Sequence, residues 1–326
     1  MAFRLRKKPG LALVPAAGGK KKLRNVMTYI FIVKKAADFD PWEAACLVRR
    51  RTGVNLNSRS CGSLGGCRGA LFAALQPECG PLLKKFLLEE QPQFDLLVLP
   101  HLPYLGERGG LILDMDMTSV QIEGIDEIAR RLGVYDRVAA ITAEAMRGGL
   151  DFASSLRKRV AMLKGGNAAG VLEQVKGIMT ETPGLRSLLQ LTHAWGWARG
   201  ICSGGFVQLI GVLERRYSLE LVRANSLEIK DGKFTGAPEG EVVDAEAKRR
   251  GVMELKQRYA LKSSQVIVLG DGANDLRMIR EAGLGIAYHA KELVRREAPC
   301  ALNHSDLSAV ALLLVLGMKS GGCRKF

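Results

Sequence analysis

Leu111-Ile112-Leu113-Asp114-Met115-Asp116-Met117-Thr118 sets a short apolar run directly against two carboxylates spaced two residues apart. An unbroken apolar run of this length, bounded by polar residues, predicts a strand buried on both faces, as in a parallel sheet. Residues i and i+2 leaving a strand project to the same side, so Asp114 and Asp116 face one space. A second apolar run, Val266 to Leu269, leads into Gly270-Asp271-Gly272-Ala273-Asn274-Asp275. In open α/β sheets ligands gather at the carboxyl ends of the strands. Two acidic loops at such an edge suit a Mg²⁺-dependent phosphoryl-transfer site, because hard divalent cations take oxygen ligands.

Working outward, strands are expected at residues 29–33, 96–99, 201–205, 265–269 and 284–287. Helices are expected at 41–51, 82–90, 206–216, 244–258, 274–282, 290–297 and from 306 on. Between about 119 and 197 the pattern is helical only: Ile122, Ile125, Ile128, Ala129 and Leu132 share a face, with acids in the first turn and Gly133 at the end. Leu227 to Phe234 predicts a hairpin, since Asp231-Gly232 suits a two-residue turn. The chain therefore divides into a basic arm over 1–25, a small α/β unit over 26–100, a Pro- and Gly-rich linker over 101–110, and a main α/β unit over 111–326. The helical stretch is an insertion into the parallel sheet of that main unit.

Composition excludes several classes. With 47% hydrophobic residues in 326, the chain has enough apolar material for a sizeable core. The net charge of +15 is concentrated early, and the first 25 residues hold eight basic residues and no acidic one. That arm lacks aromatics to stack bases and reads as solvated, so nucleic acid is not the expected partner. The apolar run Ala309 to Met318 is about half of a ~20-residue membrane span, so no membrane partner is expected. Seven cysteines without regular spacing argue for a reducing compartment, and a cytoplasmic location follows. Cys61-Gly62-Ser63-Leu64-Gly65-Gly66-Cys67-Arg68 imitates a cysteine-phosphatase loop, but Arg68 comes one residue too late. Assembly is left open, a homodimer included.

The residues assign one chemistry to four separated segments. Asp114 is the expected nucleophile, forming an aspartyl-phosphate. Mg²⁺ is expected on Asp114, the backbone carbonyl of Asp116 and Asp271. Lys248 supplies a second positive charge, while the Ser203 hydroxyl and Gly204 amide hold phosphoryl oxygens. Asp116 acts as general acid, then as general base. Each feature alone is commonplace: Asp-x-Asp is usually a surface pair, and Ser203-Gly204-Gly205 could be a strand-ending turn. Their order and spacing together carry the reading.

Asp114-Met115-Asp116-Met117-Thr118, Ser203-Gly204-Gly205-Phe206, Lys248 and Gly270-Asp271-Gly272-Ala273-Asn274-Asp275 resemble the four motifs of the haloacid dehalogenase superfamily. Longer strings, including Gln121-Ile122-Glu123-Gly124-Ile125-Asp126-Glu127-Ile128-Ala129 and Ser155-Leu156-Arg157-Lys158-Arg159-Val160, are similar to its phosphoserine phosphatase branch. The resemblance runs from about Leu111 to Lys291. It implies a HAD-like Rossmannoid sheet with a helical cap that reads the amino-acid part of O-phospho-L-serine. Carried over by position, Glu123 meets the substrate ammonium, Arg159 grips its carboxylate, Met146 and Phe152 line the closed pocket, and Asn274 contributes an amide. Three departures stand out: Met117 where serine is usual, Arg277 where proline is frequent, and Val207 in place of threonine. For residues 26–100 the likeness to an ACT-like regulatory domain is one of architecture alone. The rival readings are a related phosphatase for another small phosphorylated amine or amino acid, and a non-catalytic nucleic-acid-binding protein with a decayed site.

Overall fold

The computed structural model describes residues 27–321. The basic arm expected over 1–25 lies outside the described residues. The first unit runs β1 (Thr28–Lys35), α1 (Pro41–Thr52), β2 (Asn57–Leu64), β3 (Cys67–Ala74), α2 (Cys79–Glu90) and β4 (Asp95–Leu99). Its sheet has the order β2-β3-β1-β4, with every paired register antiparallel. This is the ferredoxin-like βαββαβ arrangement. The start of α1 is well specified: Asp40 caps it by accepting the Trp42 N–H, and Pro41 takes the first helical position. The cysteine-phosphatase look-alike is neither loop nor site. Its residues form the β2–β3 hairpin, turning at Gly65-Gly66 with φ of 57° and 82°.

The second unit begins with β5 (Gly110–Leu113). Five helices follow: α3 (Gly124–Arg131), α4 (Tyr135–Met146), α5 (Phe152–Ala161), α6 (Ala168–Ile178) and α7 (Leu185–Ala194). Then come β6 (Ala198–Phe206), α8 (Val207–Tyr217), β7 (Leu221–Lys230), β8 (Lys233–Glu239), α9 (Ala245–Arg258), β9 (Val266–Gly270), α10 (Leu276–Glu281), β10 (Leu284–Tyr288), α11 (Glu292–Glu297), β11 (Cys300–Leu302) and α12 (Ser308–Gly321). The seven strands order as β11-β10-β9-β5-β6-β7-β8, all parallel except the β7–β8 hairpin. Asp231 and Gly232 both take positive φ at the hairpin tip, as a two-residue turn requires.

β5 is central, and its Leu111, Ile112 and Leu113 are fully buried. Chain continuity runs from β5 to neighbouring β6 on one flank, and the chain later returns to β9 on the other. The crevice above β5 is therefore the switch point where strand order reverses, the place such sheets bind ligands. α12 owes its apolar sequence to burial on both sides. It packs against β2 and β3 of the first sheet and against α7 of the second unit, and Leu312, Leu313 and Leu314 have essentially no exposure. Each such leucine contributes about 1.5–3 kcal/mol by leaving water. Polar contacts complete the junction: the Asp95 carboxylate accepts the Asn303 and His304 amides, and Lys35 Nζ pairs with Asp306 at 2.5 Å.

Candidate active site

Three parallel strands deliver the acidic and hydroxyl groups to one edge. Asp114 follows β5, with its amide donating to the Leu269 carbonyl of β9 at 2.9 Å. Asp271 follows β9, and Ser203 lies near the end of β6, which continues through Gly204 and Gly205 rather than ending in a loop. Ser203 is buried, and its hydroxyl accepts the Gly205 amide at 2.9 Å.

α9 brings the cation. Asp244 caps this helix by accepting the Ala247 amide at 2.8 Å, which sets Lys248 in the first turn with no solvent exposure. Lys248 Nζ donates to Asp114 Oδ1 at 2.8 Å and to Asp275 Oδ1 at 2.6 Å. Burial works against the ammonium, but the two carboxylates more than offset it and hold its pKa well above the ordinary value. Asp114, Asp271 and Asp275 each present a carboxylate oxygen within 4.8 Å of the others. Burial, reinforced by the Asp114 charge, pushes both Asp271 and Asp275 up to about 7. Three acids held this closely destabilise one another unless a cation joins them, so the donor set suits a hard divalent ion. The Asp116 carboxylate stands outside this trio. Its Oδ1 accepts the Gly124 amide at 3.1 Å, and burial, then Glu123 and Asp114, raise its pKa well above the usual carboxylate range.

The insertion covers the site from above. Glu123 lies just before α3 with other acids around it; its carboxyl is pushed up to about 7 by burial, then Asp126 and Asp114, with Arg159 opposing. Arg159 on α5 is half-buried with its Nε unpartnered, and Asp126, Glu123 and Asp116 surround it electrostatically. Phe152 closes over the end of β6: a Cβ added at Gly204 would fall 2.8 Å from its ring edge and 3.5 Å from the Asn274 amide nitrogen. Asn274 thus lies beside Gly204. Met146 does not line a pocket in this conformation. At the end of α4 it is 68% exposed, with Lys291 Nζ 3.7 Å from its sulfur.

Two residues with clear positions carried no role in the sequence reading. Asp275, the second salt-bridge partner of Lys248, was hidden in a motif whose other acid drew attention. Asn225 on β7 is buried; it donates to the Gly204 carbonyl at 2.8 Å and accepts the Val243 amide at 2.8 Å. It ties the end of β6 to the segment that leads into α9, and nothing in its local sequence signals this. The departures are mild. Met117 points outward, 44% exposed, with φ of 54°. Arg277 forms a surface ion pair with Glu246 at 3.1 Å, and Val207 merely opens α8.

Residues 111–280 match the family model of the haloacid dehalogenase-like hydrolases. The phosphoserine phosphatase of Haemophilus influenzae is 43% identical over 222 residues, which is 68% of this chain and 70% of that one. An unliganded crystal structure of a probable phosphoserine phosphatase from Vibrio cholerae superposes with a TM-score of 0.75 at 34% identity, covering 92% of this chain and 90% of that one. A phosphoserine phosphatase solved as a phospho-aspartyl intermediate analogue gives a TM-score of 0.59 at 36% identity, covering 63% of this chain and 98% of that one. The switch-point crevice, its acidic trio with a buried lysine and these likenesses agree: the chain belongs to the haloacid dehalogenase-like hydrolases, in their phosphoserine phosphatase branch.

Proposed function

We propose that the protein hydrolyses O-phospho-L-serine to serine and phosphate through an aspartyl-phosphate on Asp114, with Mg²⁺ as the divalent ion. The observation that carries this is the Lys248 bridge between Asp114 and Asp275 at the mouth of β5. With Oδ1 held by Lys248, the Asp114 carboxylate has a fixed plane and one oxygen left to attack phosphorus in line. The Ser203 hydroxyl and the Gly204 backbone amide donate hydrogen bonds to the oxygens of the transferred phosphoryl group. Burial, with Glu123 and Asp114 nearby, raises the Asp116 pKa well above the usual carboxylate range, which favours a protonated carboxyl that can donate to the serine alkoxide as it leaves. The same carboxylate, now ionised, then takes a proton from the water that attacks the phosphoenzyme. When bound, the divalent cation supplies charge neutralisation between the attacking carboxylate and the phosphate; Asp114, Asp271 and the Asp116 carbonyl would hold it, with Asp275 close by.

Above the phosphate, Glu123 and Arg159 offer one charge of each sign to a zwitterion, and arginine's planar fork suits a carboxylate. Phe152 and, after closure, Met146 would shut out water. Related phosphorylated amines lack the carboxylate that Arg159 would read. The cytoplasm is the location we assign, since seven cysteines without regular spacing suit a reducing compartment; among the described residues no helix is long and apolar enough to cross a membrane. For residues 26–100, the β2-β3-β1-β4 order supports an ACT-like regulatory role.

Phosphate release from phosphoserine, phosphoethanolamine and p-nitrophenyl phosphate, each with and without Mg²⁺, tests the reading. Preference for phosphoserine, abolished by chelation, is expected. Equal turnover of all three esters, or undiminished turnover after chelation, would refute it.

A further inference from the structure

Beside the β4–β11 contact the two units leave a cleft of about 510 Å³. One wall is α2 with the segment leading into β4; the other is α11 with the segment leading into β11. Its volume is that of a small-molecule site rather than a packing defect. The lining is amphipathic. Leu87, Leu88, Val98 and Pro299 give it an apolar body, while Lys84 and Arg295 stand on opposite walls.

The charges do not cancel. Asp95, at the cleft's inner side, is occupied by the amides of Asn303 and His304. Glu292 is paired with Arg296 one helical turn away. Lys84 and Arg295 have no acidic partner within 4.0 Å among the described residues. Two cations without acidic partners, one on α2 and one on α11, in a lining that is otherwise partly apolar favour an occupant that is anionic at one end and apolar in its body.

We infer that this inter-unit cleft is a binding site for a small organic carboxylate with an apolar body, distinct from the catalytic crevice. Such a ligand touches both units at once, so its occupancy holds them together and raises the stability of the whole chain by mass action.

The full-length chain, titrated calorimetrically with 2-naphthoate, tests the site; neutral 2-naphthamide and inorganic phosphate serve as controls. Saturable one-to-one binding of naphthoate is expected, with naphthamide at least about tenfold weaker and phosphate alone much weaker still. Lys84→Glu and Arg295→Glu, both at exposed positions, should each weaken naphthoate about tenfold. Val98→Trp should fill the cleft and abolish binding. All three variants should retain Mg²⁺-dependent phosphate release from phosphoserine, measured on the same preparations, so failure of the cleft and failure of the proposed activity separate. No saturable naphthoate binding, binding unchanged across the three variants, or displacement of naphthoate by phosphoserine would overturn the proposal.

Discussion

Replacing Lys248 by methionine keeps the side-chain volume and removes the charge. In the metal-free protein it leaves Asp114, Asp275 and Asp271 clustered with no ammonium to bridge them. Breaking a buried ion pair by removing one partner typically costs about 3–5 kcal/mol, because the remaining charge is left uncompensated. Here that cost depends on pH. Asp271 and Asp275 already titrate near about 7 with the lysine present, and Lys248 is one of the groups that lowers both. Without it their pKa values rise further. A carboxyl raised in the folded state binds its proton before the unfolded chain does, so its destabilising effect grows as pH rises from about 4 through the folded value. The Lys248→Met penalty should therefore approach about 3–5 kcal/mol at pH 8 and fall to less than half of that at pH 5.5. Urea unfolding of metal-free wild type and variant at the two pH values measures it, and phosphate release with saturating Mg²⁺ should fall about 100- to 1,000-fold. A penalty below about 1 kcal/mol at pH 8, or one independent of pH, would refute the electrostatic account of this bridge.

Asp114→Asn should abolish turnover while leaving the fold intact; phosphate release measurably above the enzyme-free blank would count against the covalent route. Arg159→Ala should raise KM for phosphoserine about 100-fold or more, equivalent to about 2.7 kcal/mol, while p-nitrophenyl phosphate loses far less; equal losses would mean that Arg159 does not read a carboxylate. Metal-free wild type should melt at progressively lower temperature as pH rises from 5 to 8, because Glu123, Asp271 and Asp275 are all raised to about 7; added Mg²⁺ should flatten that slope in differential scanning fluorimetry. Asn225→Leu should lower kcat about tenfold or more by freeing the Gly204 carbonyl and Val243 amide, and Asn225→Asp should recover only what one retained acceptor allows.

The two apolar runs that announce β5 and β9 were legible because strands buried on both faces need no alternation, and the residues that follow carry the chemistry. The Asp231-Gly232 turn was legible because its residues must take positive φ. β2 was not, since Asn57-Ser58-Arg59-Ser60 is an exposed edge whose pairing comes wholly from β3. β11, three residues long, owes its existence to β10 and the neighbouring first unit. Within the site, sequence motifs brought Asp114, Asp116, Ser203, Lys248 and Asp271 to attention, and the fold gathers them at one strand edge. Asn225 escaped because its importance lies in two hydrogen bonds to backbone groups distant in sequence. Met146 differs for another reason: it ends α4 on the outside of the insertion, 68% exposed.

The balance of charge explains why the pieces belong together. Five carboxyls, from Asp114, Asp116, Glu123, Asp271 and Asp275, face two cations, Lys248 and Arg159, and Lys248 is already shared between two of the acids. A phosphate dianion entering beside Asp114 meets repulsion of about 4 kcal/mol for each unit-charge pair 4 Å apart in partly buried surroundings. The protein answers in two ways. It keeps Asp271 and Asp275 partly protonated near neutrality through burial and the Asp114 charge, and it holds Asp116 well above the usual carboxylate range. It also clusters three carboxylate oxygens within 4.8 Å, an arrangement that a divalent cation converts from a source of repulsion into an attractive site for phosphate. The same acids that make the metal-free site unstable at high pH are thus what make it receptive once a cation is bound.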